Sequence, residues 1–166
     1  MRRRRVVEIC DVGPRDGLQN EELTLPPATR AELAGRLAAA GLLRVEVASF
    51  VRYDLVPQMA GAEEVVAALP EAPGATWAGL VLNERGYERL RATGLGEVHV
   101  SIGSTEEFQQ RNGGSSVDEG LARAAAVVAA AAADGRHASV TLSCAFGCPF
   151  EGEVDAGAVY DLAARC

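Results

Sequence analysis

Arg15 and Asp16 stand side by side between two glycines in "DVGPRDGLQNEE" (residues 11 to 22), directly after the apolar run Val6-Val7-Glu8-Ile9-Cys10. Gly13-Pro14 stops that run as a strand, because proline cannot donate to a sheet ladder, and Asp16-Gly17 is a turn dipeptide. A guanidinium fixed on such a turn can hold negative charge that develops on an oxygen, and a carboxylate beside it can bind a hard cation. The turn alone fits a second description equally well, in which Asp16 caps the turn and Arg15 pairs with it on the surface.

The segment "RVEVASF" (residues 44 to 50) decides between the two. Its alternation sets Val45 and Val47 toward one face and Glu46 toward the other, and a parallel strand is normally buried on both faces. A lone buried carboxylate costs roughly several kcal/mol, so Glu46 requires a cation, and the cation on the neighbouring strand's rim is Arg15. An Arg15–Glu46 pair over the mouth of a barrel, beside Asp16, reads as a lyase or aldol constellation.

The remaining chemically capable residues point elsewhere. His99 falls within a strand pattern and His137 just before another, at the opposite rim, so both read as ordinary core or surface histidines. Cys144 and Cys148 lack the partners for a four-ligand zinc site. With Cys10 and Cys166 they read as reduced thiols, which fits a cytoplasmic location.

The elements that must position these residues repeat one design. An alanine-rich helical stretch runs to a glycine suited to the left-handed conformation, at Gly41, Gly94 and Gly135, and a β-branched run follows. Strands are expected from Val6, Leu43, Thr76, Glu97 and Ala138, with helices over 27–40, 61–69, 84–93, 117–134 and 155–165. Strand alternating with helix at roughly thirty residues per unit, with no hairpin turns, means parallel pairing through right-handed crossovers. "GPRDGLQ" is not the glycine-rich phosphate loop of a doubly wound sheet, so the (β/α) barrel is favoured. A complete barrel takes about 250 residues. The 166 residues are therefore expected to form an incomplete TIM barrel of about five strand-helix units out of eight, in a single domain.

Composition excludes whole classes of function. A net charge of −7 opposes nucleic-acid binding, and Arg2 to Arg5 form a short basic run expected to be a disordered tail. The longest apolar stretch, Ala124 to Ala133, is too short and too alanine-rich to span a membrane.

"DVGPRDGLQNE", "RVEVASFV", "LVPQMAGAEEVV", "STEEFQQRN" and "LSCAFGCPFEG" together resemble, in order and spacing, the hydroxymethylglutaryl-CoA lyase family of metal-dependent TIM barrels. The likeness runs from Val6 to about Gly152. It implies cleavage of 3-hydroxy-3-methylglutaryl-CoA, an acyl-CoA substrate, to acetyl-CoA and acetoacetate with a divalent cation, Mg or Mn. By that resemblance Asp16 is a metal ligand, Arg15 holds the departing enolate, Glu46 orients Arg15, and Gln19 and Ser49 line the substrate mouth. It also places a His-x-His pair, a metal-binding asparagine and a catalytic cysteine loop beyond Cys166, so this chain unaided is expected to be inactive.

The chain departs from the family pattern at Glu22-Leu23 and at Val81-Leu82, near the substrate end. Related 3-hydroxyacyl thioesters therefore stay open as substrates. A condensing synthase of the isopropylmalate or homocitrate type is the alternative enzyme. A non-catalytic partial barrel that self-associates is the alternative without chemistry, and homo-oligomers are expected because an incomplete barrel leaves apolar surface uncovered.

Overall fold

The computed structural model describes residues 7 to 166. Five strands pair in parallel in the order β1 (Cys10–Asp11), β2 (Arg44–Ser49), β3 (Thr76–Val81), β4 (Glu97–Gly103) and β5 (His137–Ser143). Spatial order that follows chain order throughout separates a barrel from a doubly wound sheet, whose order reverses at a switch point. The result is a curled half-barrel with its helices on the outside.

Helices α1 (Pro27–Ala39), α2 (Ala62–Ala67), α3 (Glu84–Arg91), α4 (Glu106–Gly113), α5 (Val117–Ala133) and α6 (Ala156–Arg165) fill the crossovers and the end of the described chain. Local chemistry starts several of them. The Asn83 side chain accepts from the Gly86 amide at the head of α3, Ser116 and Glu119 form a capping box on α5, and the Asp155 side chain accepts from the Ala158 amide on α6.

The strands divide their two faces by chemistry. Val45, Val47, Val98, Val100 and Ile102 point outward and are buried against Ala34, Leu90, Leu121, Ala124 and Val127 of the helices. The concave face carries Arg44, Glu46, Glu97, His99, Ser101, Ser139, Thr141 and Ser143. Apolar packing thus lies between sheet and helices, and the inner wall is left to polar groups.

Four expectations need correction. The first strand, expected to begin at Val6, is shorter: β1 is two half-buried residues, with Val7 and Ile9 82% and 65% exposed. Among the described residues β1 has a paired neighbour on one side only, so little encloses its apolar side chains. Val6 itself, like Arg2 to Arg5, lies outside the described residues. Helix α4 was not expected: "EEFQQRNG" is too polar to show an apolar stripe, and it is held by the buried Gln109, whose Oε1 accepts from the Gly103 amide at 2.7 Å. His137 opens β5 rather than preceding it.

The last concerns a helix stop. Gly41 and Gly135 adopt φ of +102° and +70° as the helix-stop reading requires, but Gly94 is not in the left-handed region. The end of α3 is held instead by Thr93, whose hydroxyl donates to the Leu90 carbonyl at 2.7 Å.

Candidate active site

Residues Gly13–Gly17 leave the C-terminal end of β1 as one wide helical turn. The amides of Arg15, Asp16 and Gly17 all converge on the Val12 carbonyl, at 3.1, 2.7 and 3.4 Å, which winds the backbone tightly enough to present consecutive side chains at the rim. The Gly13 amide donates to Asp11 Oδ1 at 2.9 Å, and a Cβ on residue 13 would lie only 3.0 Å from that oxygen. Pro14 is buried beneath the turn and anchors it.

Arg15 emerges into the half-barrel. Its Nε donates to Glu46 Oε1 and its Nη1 donates to Asp16 Oδ1 at 2.7 Å. The guanidinium is mostly covered, at 14% exposure of the side chain, whereas Asp16 is 55% exposed. Arg15 is therefore held from two sides, and Asp16 faces open space with no described group bonded to its second oxygen.

Glu46 owes its position to β2. Glu46 pairs in register with Ala78, and Ala48 with Gly79, so Val47 is an extra residue and the strand bulges just beyond the carboxylate. Opposite Glu46, the small side chain of Ala78 leaves room to reach across β3 to β4. There Glu46 Oε2 meets His99 Nδ1, and His99 Nε2 lies 3.2 Å from Glu97 Oε1. Glu97 in turn accepts from Arg44 Nε at 2.9 Å and is bonded to His137 Nδ1 at 2.9 Å. One continuous line of polar contacts thus runs from the rim at Arg15 to the opposite end of the sheet at His137.

These contacts set protonation. Burial pushes the Glu46 carboxyl up, but the hydrogen bonds from His99 and Arg15 and the Arg15 charge outweigh it and hold it below its ordinary value. Burial pushes the His99 imidazole down, and the bonds and charges of Glu46 and Glu97 more than reverse that, raising it. The Cys10 thiol is raised, first by burial and then by the negative charges of Glu46 and Glu97, so it stays protonated at the bottom of the cavity.

Arg15, Asp16 and Glu46 border one cavity of about 500 Å³ with Glu97, His99 and Leu80. Its far wall is hydroxylic: Ser101 and Ser143 bond to each other at 2.8 Å, with Ser139 and Thr141 beside them. Of the five residues picked out in the sequence, three meet here. Gln19 is half-buried just past the turn, and Ser49 is wholly buried at the end of β2, its hydroxyl without a hydrogen-bond partner. Neither lines the cavity. His99, expected to be an ordinary core or surface histidine, is central to the site, and Glu97 and Arg44 join it. Cys148 is a loop packing residue, accepting from the Thr105 hydroxyl at 3.1 Å, and Cys144 turns the chain after β5 at φ +61°.

The HMGL-like family model matches residues 6–166, nearly the whole chain. The chain belongs to the HMGL-like family. It is 42% identical over 149 residues to a 3-hydroxy-3-isohexenylglutaryl-CoA/hydroxy-methylglutaryl-CoA lyase of Pseudomonas aeruginosa, covering 90% of this chain and 50% of that protein. The fold agrees. A crystal structure of hydroxymethylglutaryl-CoA lyase from Pseudomonas aeruginosa superposes with a TM-score of 0.90 at 41% identity, covering 96% of this chain and 53% of that one. An HMG-CoA lyase from Acinetobacter baumannii, solved with coenzyme A and 3-methylmalate, superposes with a TM-score of 0.91 at 25% identity over 96% and 52% of the two chains. The chain spans about half the length of the curated relatives it matches. In this HMGL-like chain the described half of the barrel carries the rim turn with Arg15 and Asp16.

Proposed function

We propose that this chain supplies the Arg15–Asp16 half of a carbon-carbon lyase that cleaves 3-hydroxy-3-methylglutaryl-CoA, or a related 3-hydroxyacyl-CoA, to acetyl-CoA and acetoacetate. The observation that carries the reading is the Arg15 guanidinium, held by the buried Glu46 and turned into a polar cavity that Asp16 shares.

In such a cleavage the tertiary hydroxyl loses its proton and the bond between C2 and C3 breaks. The electron pair passes to the thioester as an enolate, and protonation at C2 completes acetyl-CoA. Arg15 suits the enolate oxygen, because a guanidinium already fixed in place needs no reorganisation as charge develops. Glu46 holds that guanidinium by its Nε and leaves other donors of the fork free to face the cavity. The hydroxyls of Ser101, Ser139, Thr141 and Ser143 offer donors and acceptors to the oxygen-rich acyl end.

Asp16 fits a divalent cation as one donor of a set. It is an exposed hard-oxygen ligand, and the described residues contain no group of three or more His, Cys, Asp or Glu side chains poised to hold a metal. A bound Mg or Mn ion would lower the pKa of the substrate hydroxyl. Asp16 then has a second duty on the protein side, since its Oδ1 also fixes the outer edge of the Arg15 guanidinium.

The test is acetoacetate release from 3-hydroxy-3-methylglutaryl-CoA by the whole protein, with and without added Mg or Mn. Cation-dependent release that disappears in Asp16→Ala is expected. Full release by Asp16→Ala in the presence of chelator would overturn the proposal.

A further inference from the structure

His99 lies between two carboxylates that are themselves almost entirely buried, Glu46 at 2% and Glu97 at 1% exposure. Nδ1 meets Glu46 Oε2 and Nε2 faces Glu97 Oε1 at 3.2 Å. A neutral imidazole has one N–H, so one ring nitrogen would then turn a lone pair toward a carboxylate oxygen. Only the imidazolium donates to both.

The surrounding charges favour the same state. Arg15 from the rim turn and Arg44 from β2 bring two positive charges; Glu46 from β2, Glu97 from β4 and Asp16 from the rim turn bring three negative ones. Glu8 adds a further, half-exposed carboxylate 3.9 Å from Arg44, so the carboxylates outnumber the guanidinium groups around His99 and favour its cation. The other titratable neighbours are Cys10 of β1, kept as the neutral thiol, and His137 of β5, whose Nδ1 meets the same Glu97 Oε1 that faces His99 Nε2. In register beside His99 stand Leu80 and Ser139, which cannot compensate a charge.

We propose that His99 is an imidazolium that positions Arg15: it grips one oxygen of Glu46 so that the other is fixed for the guanidinium. Where the reacting geometry is concerned, this rests on the lyase reading of Arg15; the positioning itself does not. In this role His99 acts through Glu46. Loss of its proton removes one of its two donors, frees the Glu46 carboxylate to rotate, and releases Arg15 toward Asp16 and solvent.

The test is nitrogen NMR of the whole protein with labelled histidine and arginine, followed from about pH 5 to about pH 9. The expected result is a doubly protonated His99 ring at neutral pH, and an Arg15 Nε–H resonance that is protected from solvent exchange and shifts with the same midpoint as His99. In His99→Gln, whose amide carries no charge and lacks two opposed ring N–H donors, the Arg15 resonance should lose that protection at every pH. A single neutral tautomer at neutral pH, or an Arg15 resonance indifferent to the His99 titration, overturns the proposal. The wild-type titration decides even if the variant fails to fold.

Turnover separates the two readings. If both hold, kcat should fall about 100-fold as His99 deprotonates, the scale of a misplaced catalytic group. An Arg15 resonance that follows His99 while kcat does not would support the positioning and refute the lyase role of Arg15.

Discussion

Replacing Glu46 with glutamine keeps the volume of the side chain and removes its charge, which makes it the sharpest probe of the inner wall. Glu46 is 3% exposed at the side chain and bonds two cationic groups, Arg15 and His99. Removing one partner of a buried pair costs about 3–5 kcal/mol, because the charge left behind stays desolvated. The lower end applies here. Arg15 retains its 2.7 Å contact to Asp16 and a 14% exposed side chain, and His99 retains Glu97. A loss of about 3 kcal/mol is a large part of the roughly 5–15 kcal/mol that holds an ordinary domain folded. Urea unfolding of the whole protein at neutral pH measures it, with circular dichroism and the fluorescence of Trp77 on β3 as coincident probes. In a double-mutant cycle with Arg15→Gln the two losses should fall well short of additivity. A loss under about 1 kcal/mol, the scale of an exposed pair, or strict additivity of the two variants, would refute the argument that Glu46 is a buried anchor for Arg15.

Two further outcomes follow from the structure. Stability should be greatest between about pH 4.5 and about pH 6.5 as far as this network is concerned. Glu46 is depressed, so its contribution is present above its ordinary value of 4.5 and is lost as pH falls through its folded value; His99 is raised, so its contribution is complete below its ordinary 6.5 and is lost as pH rises through its folded value. Thermal melts across pH check this, and Glu46→Gln should remove the acid limb and shrink the alkaline one. Away from the cavity, Gln109→Leu should destabilise by about 2 kcal/mol, since it strands the buried Gly103 amide and the Ser115 hydroxyl that Gln109 bonds at 2.7 and 3.0 Å. Denaturant melts would read it, and an unchanged midpoint would mean that both groups find other partners.

The strands that carry the site were legible because each announces its burial. In β2 the valines alternate with Arg44 and Glu46, β-branched runs mark β4 and β5, and the apolar segment from Thr76 marks β3, all close to their observed bounds. The demand that a buried Glu46 have a cation led directly to Arg15. What remained hidden was the second partner. Glu46 and His99 sit on strands that are not adjacent, and their contact depends on the small Ala78 between them and on the bulge at Val47. No local pattern encodes that reach. Yet β4 carries the same signature as β2, with Glu97, His99 and Ser101 alternating with Val98, Val100 and Ile102. The polar-face argument applied to β2 would have found them on β4. Helix α4 escaped for a different reason: its stability comes from the side chain of one buried glutamine and the ends it ties together, not from an apolar stripe.

In the proposed lyase, Arg15, fixed by Glu46, stabilises charge that develops during bond cleavage. Steady-state kinetics of Arg15→Gln in the whole enzyme, with 3-hydroxy-3-methylglutaryl-CoA and Mg or Mn, tests it most directly. A fall in kcat of about 100- to 1,000-fold with KM changed only a few-fold is expected, because the lost interaction belongs to the transition state. A kcat within about tenfold of the wild type, or a loss confined to KM, would contradict it.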